Sequence, residues 1–164
     1  RVNSYSANGY DETEYMIAVN VGEALKPLAK VASGGELSRV MLALKTVLAD
    51  KDEVESIIFD EIDTGISGRT AQKVSEKMSL IGRNRQVICI THLPQIASMA
   101  DAHFLIEKTV QGQVTTTGIR RLKVAEEVEE LARMLGGVEI TEKVLENAQE
   151  MKNQAKSLKA KNCQ

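Results

Sequence analysis

Ser56-Ile57-Ile58-Phe59-Asp60-Glu61-Ile62-Asp63 opens with apolar residues in succession and closes in carboxylates. A short run of this kind is the pattern of a strand covered on both faces by helices, as in a parallel sheet. Beyond a turn at Gly65 and Gly68, Ala71, Val74, Met78 and Ile81 recur at helical spacing over Thr70 to Ile81, and Gly82 is placed to end that helix. Gln86 to Thr91 is a second buried strand. Strand, helix and strand in this order predict a right-handed crossover and a parallel pair, whose carboxyl edge is where α/β sheets bind ligands.

Upstream, Val2 to Ser6 and Glu14 to Val21 read as two strands around Asn8-Gly9, which predicts an N-terminal β-hairpin. After a connector at Pro27, Leu37, Val40, Met41, Leu44, Val47 and Leu48 give Ser33 to Leu48 the spacing of a helix with one buried face. Downstream, Pro94 to Met99 fits a short helix with proline in its first turn. Ala102 to Val110 and Gln113 to Arg120 fit an antiparallel pair around Gly112. Val124 to Leu135 and Thr141 to about Lys159 are two terminal helices separated by Gly136-Gly137, the last carrying a stripe of Val144, Ala148, Met151, Ala155 and Leu158. The class is α/β, a mostly parallel sheet flanked by helices, in one domain over residues 1–164.

Composition bounds the rest. A chain of 164 residues that is 43% hydrophobic supports one core and not two. The 21 lysines and arginines nearly balance 23 acidic residues, and a formal charge of −2 gives no global reason to bind nucleic acid or an anionic membrane. Cys89 lies inside an apolar run and Cys163 two residues from the end, so no disulfide framework is expected and a reducing cytosol fits. No stretch nears the roughly 18 apolar residues of a membrane span, and no signal peptide opens the chain. Because the first residue is Arg1 and the first element reads as one already under way, a fragment of a longer protein is expected.

Three segments can carry chemistry. Asp60 and Glu61 stand at a carboxyl strand edge, where an aspartate holds magnesium through water and the next acid orients or deprotonates an attacking water. Acidic residues also end strands for solubility alone. Ser33-Gly34-Gly35-Glu36 opens a helix, where free N–H groups and the positive helix end attract a phosphate. Ser33 and Glu36 are equally explained as a capping box. The glycine pair is not, since each weakens a first turn by roughly 1 kcal/mol relative to alanine; close approach by another molecule would account for it. His92 follows the second strand, placed to contact a γ-phosphate, although a lone loop histidine is more often merely solvated. Asp63-Thr64-Gly65-Ile66-Ser67 reads by itself as a loop and helix cap.

Taken in order, ASGGELSRVMLALK (32–45), SIIFDEIDTGISG (56–68) and CITHLPQIA (89–97) resemble the signature, Walker B with D-loop, and H-loop segments of ABC-type ATPases. Within that superfamily PLAKVASGGELSR, FDEIDTGISGRTA, THLPQIASMADAHF and ARMLGG resemble the RecN family, SMC-like bacterial recombination and repair proteins. The likeness runs from about Asn8 to Met151, and it implies the C-terminal half of an ABC-type, P-loop NTPase-like head. It further implies ATP and Mg2+ as cofactors, with Asp60 as metal ligand, Glu61 as general base and His92 at the γ-phosphate. Ser33, Gly34, Gly35 and Glu36 would face the nucleotide from a second head in an ATP-sandwiched homodimer, with Asp63 in the D-loop at that interface. Partners implied are an N-terminal Walker A half and, through the full-length protein, DNA in double-strand break repair; the location implied is cytoplasmic and nucleoid-associated, without membrane. Two departures stand out: Ala32 replaces the usual signature leucine, as in RecN-like sequences, and no GxxxxGK[ST] is present.

Two other classes compete. A transporter nucleotide-binding domain keeps Walker A upstream on the same stretch, and here fewer than ~35 residues precede the signature, too few for a strand, loop and helix of ordinary length. A non-catalytic interaction fragment would use Glu126, Glu127, Glu129 and Glu130 as its contact face, yet such clusters usually mark a solvated helix surface. Lys152, Lys156, Lys159 and Lys161 can meet DNA phosphates but equally suit the end of a helix. Aromatic content of 3% offers bases little to stack on.

Overall fold

The computed structural model describes residues 7, 9–18, 21–31, 33–48, 53–112, 114–137 and 139–161. The Val2 to Ser6 arm of the expected hairpin, Ala32 and Cys163 lie outside them. The other arm is shorter than expected: β1 (Met16–Ile17) pairs antiparallel with β2 (Lys26–Pro27), not described with the first arm. Pro27 has no N–H to give, which confines the pair to a short edge ladder. A single turn, α1 (Leu28–Val31), follows, and then α2 (Gly34–Val47).

The parallel pair is present. β3 (Ser56–Phe59) lies beside β4 (Gln86–Cys89) in parallel register from Ser56 against Gln86 to Phe59 against Cys89, joined through α3 (Gly68–Ile81). Gly82 caps α3 in the right-handed region rather than the left-handed one. After α4 (Pro94–Ala97), β5 (Phe104–Gln111) and β6 (Val114–Arg121) form a long antiparallel ribbon, and α5 (Val124–Gly136) and α6 (Glu142–Lys161) close the described chain.

This is a mixed α/β fold, but the mostly parallel sheet is not what the described strands make. They form three separate two-stranded sheets, of which one is parallel. Nor is β3 covered on both faces. Phe59 and Ile57 turn inward with Val87 and Cys89, while Ile58 stays 67% exposed and Ile88 and Ile90 are exposed beside it. Alternation is the reason: successive side chains point to opposite faces, and helices of the described residues cover one of them.

The main core gathers Leu42, Phe59, Ile62, Val74, Met78, Ile81 and Ile96 between α2, α3, the β3–β4 pair and α4. A second, smaller core of Ala97, Leu131, Ala132 and Ala148 joins α4 to α5 and α6. The orientation of α2 departs from its apolar spacing. Leu37, Met41, Leu44 and Val47 are exposed, the last at 82%, whereas Gly35 and Leu42 are buried. The helix turns its glycine, serine and arginine side inward because that side makes hydrogen bonds to the loop after β3, and the apolar stripe is left outward.

Candidate functional site

The chain leaves β3 through a sharp bend. The Asp60 Oδ1 atom accepts the Glu61 N–H at 2.9 Å, and the Glu61 carbonyl accepts the Thr64 N–H at 3.0 Å, which closes a turn over Glu61 to Thr64. Glu61 adopts φ +57°, the left-handed region that costs a residue with a Cβ on the order of 1 kcal/mol. The bend buries Ile62 completely in the main core and directs Asp63 inward, while Asp60 and Glu61 remain exposed. One turn thus separates two exposed carboxylates from one that is buried.

What holds Asp63 is the end of β4. Its Oδ2 atom accepts the Thr91 hydroxyl at 2.6 Å and the His92 backbone N–H at 2.9 Å, and His92 Nδ1 lies 3.0 Å from the same oxygen. Burial pushes the Asp63 carboxyl up, but the Thr91 hydroxyl, the His92 N–H and the His92 ring outweigh it, so the net displacement is below the usual carboxylate value. The His92 side chain is 74% exposed against 5% for Asp63. With Nδ1 turned to Asp63, Nε2 is left for another partner.

From the opposite side α2 presents its first turns. The capping box read from sequence is formed: Glu36 N–H donates to Ser33 Oγ at 3.3 Å, and Ser33 N–H donates to Glu36 Oε2 at 3.0 Å. Ser33 and Glu36 are therefore accounted for by the helix itself. The glycines also have neighbours within the chain, and for Gly35 these account for the missing side chain without a second molecule. A Cβ at Gly35 would stand 2.7 Å from the Glu61 carbonyl oxygen and 3.0 Å from that of Thr64, and one at Gly34 would collide with the Glu61 carboxylate. Gly35 is buried by this contact, and Gly34 remains exposed.

Two further side chains of α2 complete the grip. Ser38 Oγ donates to the Asp60 carbonyl at 3.0 Å, and Arg39 Nη1 donates to the carbonyls of Ile62 at 3.1 Å and Thr64 at 2.9 Å. The structure thus brings Asp60, Glu61, Asp63, His92, Gly34 and Gly35 into one neighbourhood. Ser38, Arg39 and Thr91 were not singled out from sequence, because their acceptors are main-chain carbonyls or a carboxylate far along the chain. Among the described residues no group of three or more metal-ligating side chains occurs. The turn uses Oδ1 of Asp60 and not Oδ2.

No family model matches the chain. It is 53% identical to the DNA repair protein RecN of Halalkalibacterium halodurans over 155 residues, 94% of this chain and 27% of that one. To RecN of Bacillus subtilis it is 50% identical over 92% of this chain and 26% of the relative, and to RecN of Streptomyces coelicolor 43% identical over 96% and 27%. The chain belongs to the RecN family. It spans about a quarter of the length of the RecN relatives it matches. A solved structure from a study of ATP-driven dimerization and DNA-stimulated activation of SMC ATPases superposes with a TM-score of 0.48 at 16% identity, covering 72% of this chain and 70% of that one. No helix among the described residues is long and apolar enough to cross a membrane.

Proposed function

We propose that this chain is one lobe, over residues 1–164, of an ATP-hydrolysing RecN head that works in DNA double-strand break repair, and that it needs an N-terminal Walker A half to turn over. The observation that supports this reading best is the parallel pair, whose common edge carries Asp60 and Glu61 from β3 and His92 from beyond β4. The donor set fits a shared nucleotide site rather than a self-sufficient one: a carboxylate with one oxygen unused by the turn, an exposed second acid and an imidazole, with no phosphate-gripping loop in the sequence. Mg2+ bound through Asp60 would neutralise charge on the phosphates.

The residues then have distinct tasks. Glu61, exposed and held in a bend, accepts the proton of the attacking water. His92 uses Nε2 toward the γ-phosphate while Asp63 fixes the ring through Nδ1. Asp63, in the D-loop turn, ties both ends of the edge together. Gly34 keeps its backbone open to a nucleotide held by a second head, which is the ATP-sandwiched homodimer. The exposed stripe of α2 and the open face bearing Ile58, Ile88 and Ile90 suit cover by the Walker A half. Cytoplasmic, nucleoid-associated action on DNA follows from the same reading.

The test is turnover. In a full-length RecN-family protein with these residues, Glu61→Gln lowers kcat by roughly 10²- to 10⁴-fold, the usual worth of a general base, and leaves ATP binding in place. The isolated chain is expected to show no ATP turnover. Turnover by the isolated chain, or full activity of Glu61→Gln, would sink the assignment.

A further inference from the structure

The bend that carries Glu61 is clamped from two sides by its own chain, and the two clamps are unlike. On one side the Asp63 carboxylate is tied to Thr91 and His92. On the other, α2 holds main chain: Ser38 takes the carbonyl of Asp60, Arg39 those of Ile62 and Thr64, and Gly35 lies flat against those of Glu61 and Thr64. Glu61 itself has no hydrogen-bond donor to its carboxylate among these contacts, and its backbone stands in the left-handed region at φ +57°. The direction in which its side chain leaves the backbone is therefore set by its neighbours in the turn.

We propose that Arg39, assisted by Ser38, is a positioning residue that fixes the direction of the Glu61 carboxylate by holding the carbonyls on both sides of it against the first turns of α2. This inference rests on the reading of Glu61 as general base. Arg39 is suited to the task in a way few side chains are. A guanidinium nitrogen has two N–H groups in one plane, and Nη1 spends them on two carbonyls at 3.1 and 2.9 Å, two residues apart. The arrangement also links the exposed backbone of Gly34 to the acid. A Cβ on Gly34 would overlap the Glu61 carboxylate, so the first turn of α2 borders the same acid that Arg39 aims.

The experiment is steady-state ATP hydrolysis by a full-length RecN-family protein carrying these residues, as wild type, Arg39→Ala, Arg39→Lys, Glu61→Gln and the double variant Arg39→Ala with Glu61→Gln. Arg39→Ala is expected to lower kcat about tenfold with KM for ATP unchanged within about twofold, a fraction of what a general base contributes. Arg39→Lys, which keeps the charge and the stem, recovers part of that loss. In the Glu61→Gln background, removing Arg39 has no further effect on residual turnover, because the residue acts through the acid. Should Arg39→Ala not fold, Arg39→Lys decides by the same split, with kcat reduced about threefold at unchanged KM. An unchanged kcat in the folded variant, a loss confined to KM, or an additive loss in the double variant overturns the clamp while leaving Glu61 as the base. If instead Glu61→Gln retains full turnover, the functional reading itself fails, and the two failures are told apart by that one variant.

Discussion

Two regions of the molecule spend their charged side chains in opposite ways. At the β3–β4 edge Asp60 and Glu61 stay exposed, and the hydrogen bonds that shape the turn are made by Ser38, Arg39, Thr91 and Asp63 around them. At the α5–α6 end the charges are consumed inside. Lys152 and Glu127, each buried, meet at 2.8 Å, Lys152 also donates to the Ala100 carbonyl at 3.3 Å, and Glu130 is bound by Arg133. Glu126 is no free acid either, since it caps α5 and accepts from Arg120. An acid left exposed beside elaborate support has been kept available, whereas an acid buried with its partner has become part of the frame. The expectation that the glutamates of α5 form a solvated face is thus corrected for Glu127 and Glu130, and of the lysines of α6 Lys152 is buried and Lys159 is engaged with Asp101 at 2.5 Å.

That contrast can be broken most sharply at Lys152. Lys152→Ala leaves Glu127 buried without its partner, and removal of one member of a buried pair costs about 3–5 kcal/mol; urea denaturation should show the loss. The paired change Lys152→Met with Glu127→Leu recovers most of it, because two apolar groups of similar volume leave no orphan charge. If the single change proved silent, the α5–α6 pair would be ornamental and the comparison would collapse.

A smaller effect separates the two glycines. Gly35→Ala drives a Cβ into the carbonyls of Glu61 and Thr64, which are backbone and cannot swing aside, so a loss of about 1–3 kcal/mol is expected. Gly34→Ala meets only the end of the Glu61 side chain, so the fold keeps its melting temperature within about 2 °C, the shift that a fraction of a kcal/mol produces. Thermal melts of the two variants side by side test this. Equal losses would mean that α2 does not lean on the turn as described.

The least effect is a pH dependence at the frame end. Burial holds His103 below the usual imidazole value, against the upward pull of Glu130. A group depressed in the folded state adds stability above its unfolded value of 6.5, and that stability is lost as pH falls through the lower folded value. Melting temperature should therefore decline as the solution is acidified from pH 6.5, and His103→Gln should flatten that decline. A flat profile in the parent chain would remove His103 from the frame.

How much of this was legible in the sequence follows from which atoms do the work. The α2 and α3 helices and the parallel pair were readable because apolar spacing and the strand, helix, strand order are side-chain patterns, and the Ser33 with Glu36 cap is a side-chain motif. The clamp of Ser38 and Arg39 was not, since its acceptors are carbonyls that every residue possesses. The orientation of α2 was misjudged for a related reason: apolar residues such as Met41 and Leu44 show that a face suits burial, without saying in what company. The buried Lys152 and Glu127 pair lies 25 positions apart, a separation at which no local spacing rule operates. The mostly parallel sheet is not what the described strands form, because apolar runs announce strands but not how many neighbours each will have.

The bend at residue 61 carries one more consequence. Glycine would sit in that dihedral more comfortably than glutamate does, so selection for heat resistance alone would pull the position toward losing its acid. On the proposed reading of Glu61 as the general base, retaining glutamate there sets durability against reactivity at a single torsion angle, and a redesign of this chain for ruggedness has to leave that one discomfort in place.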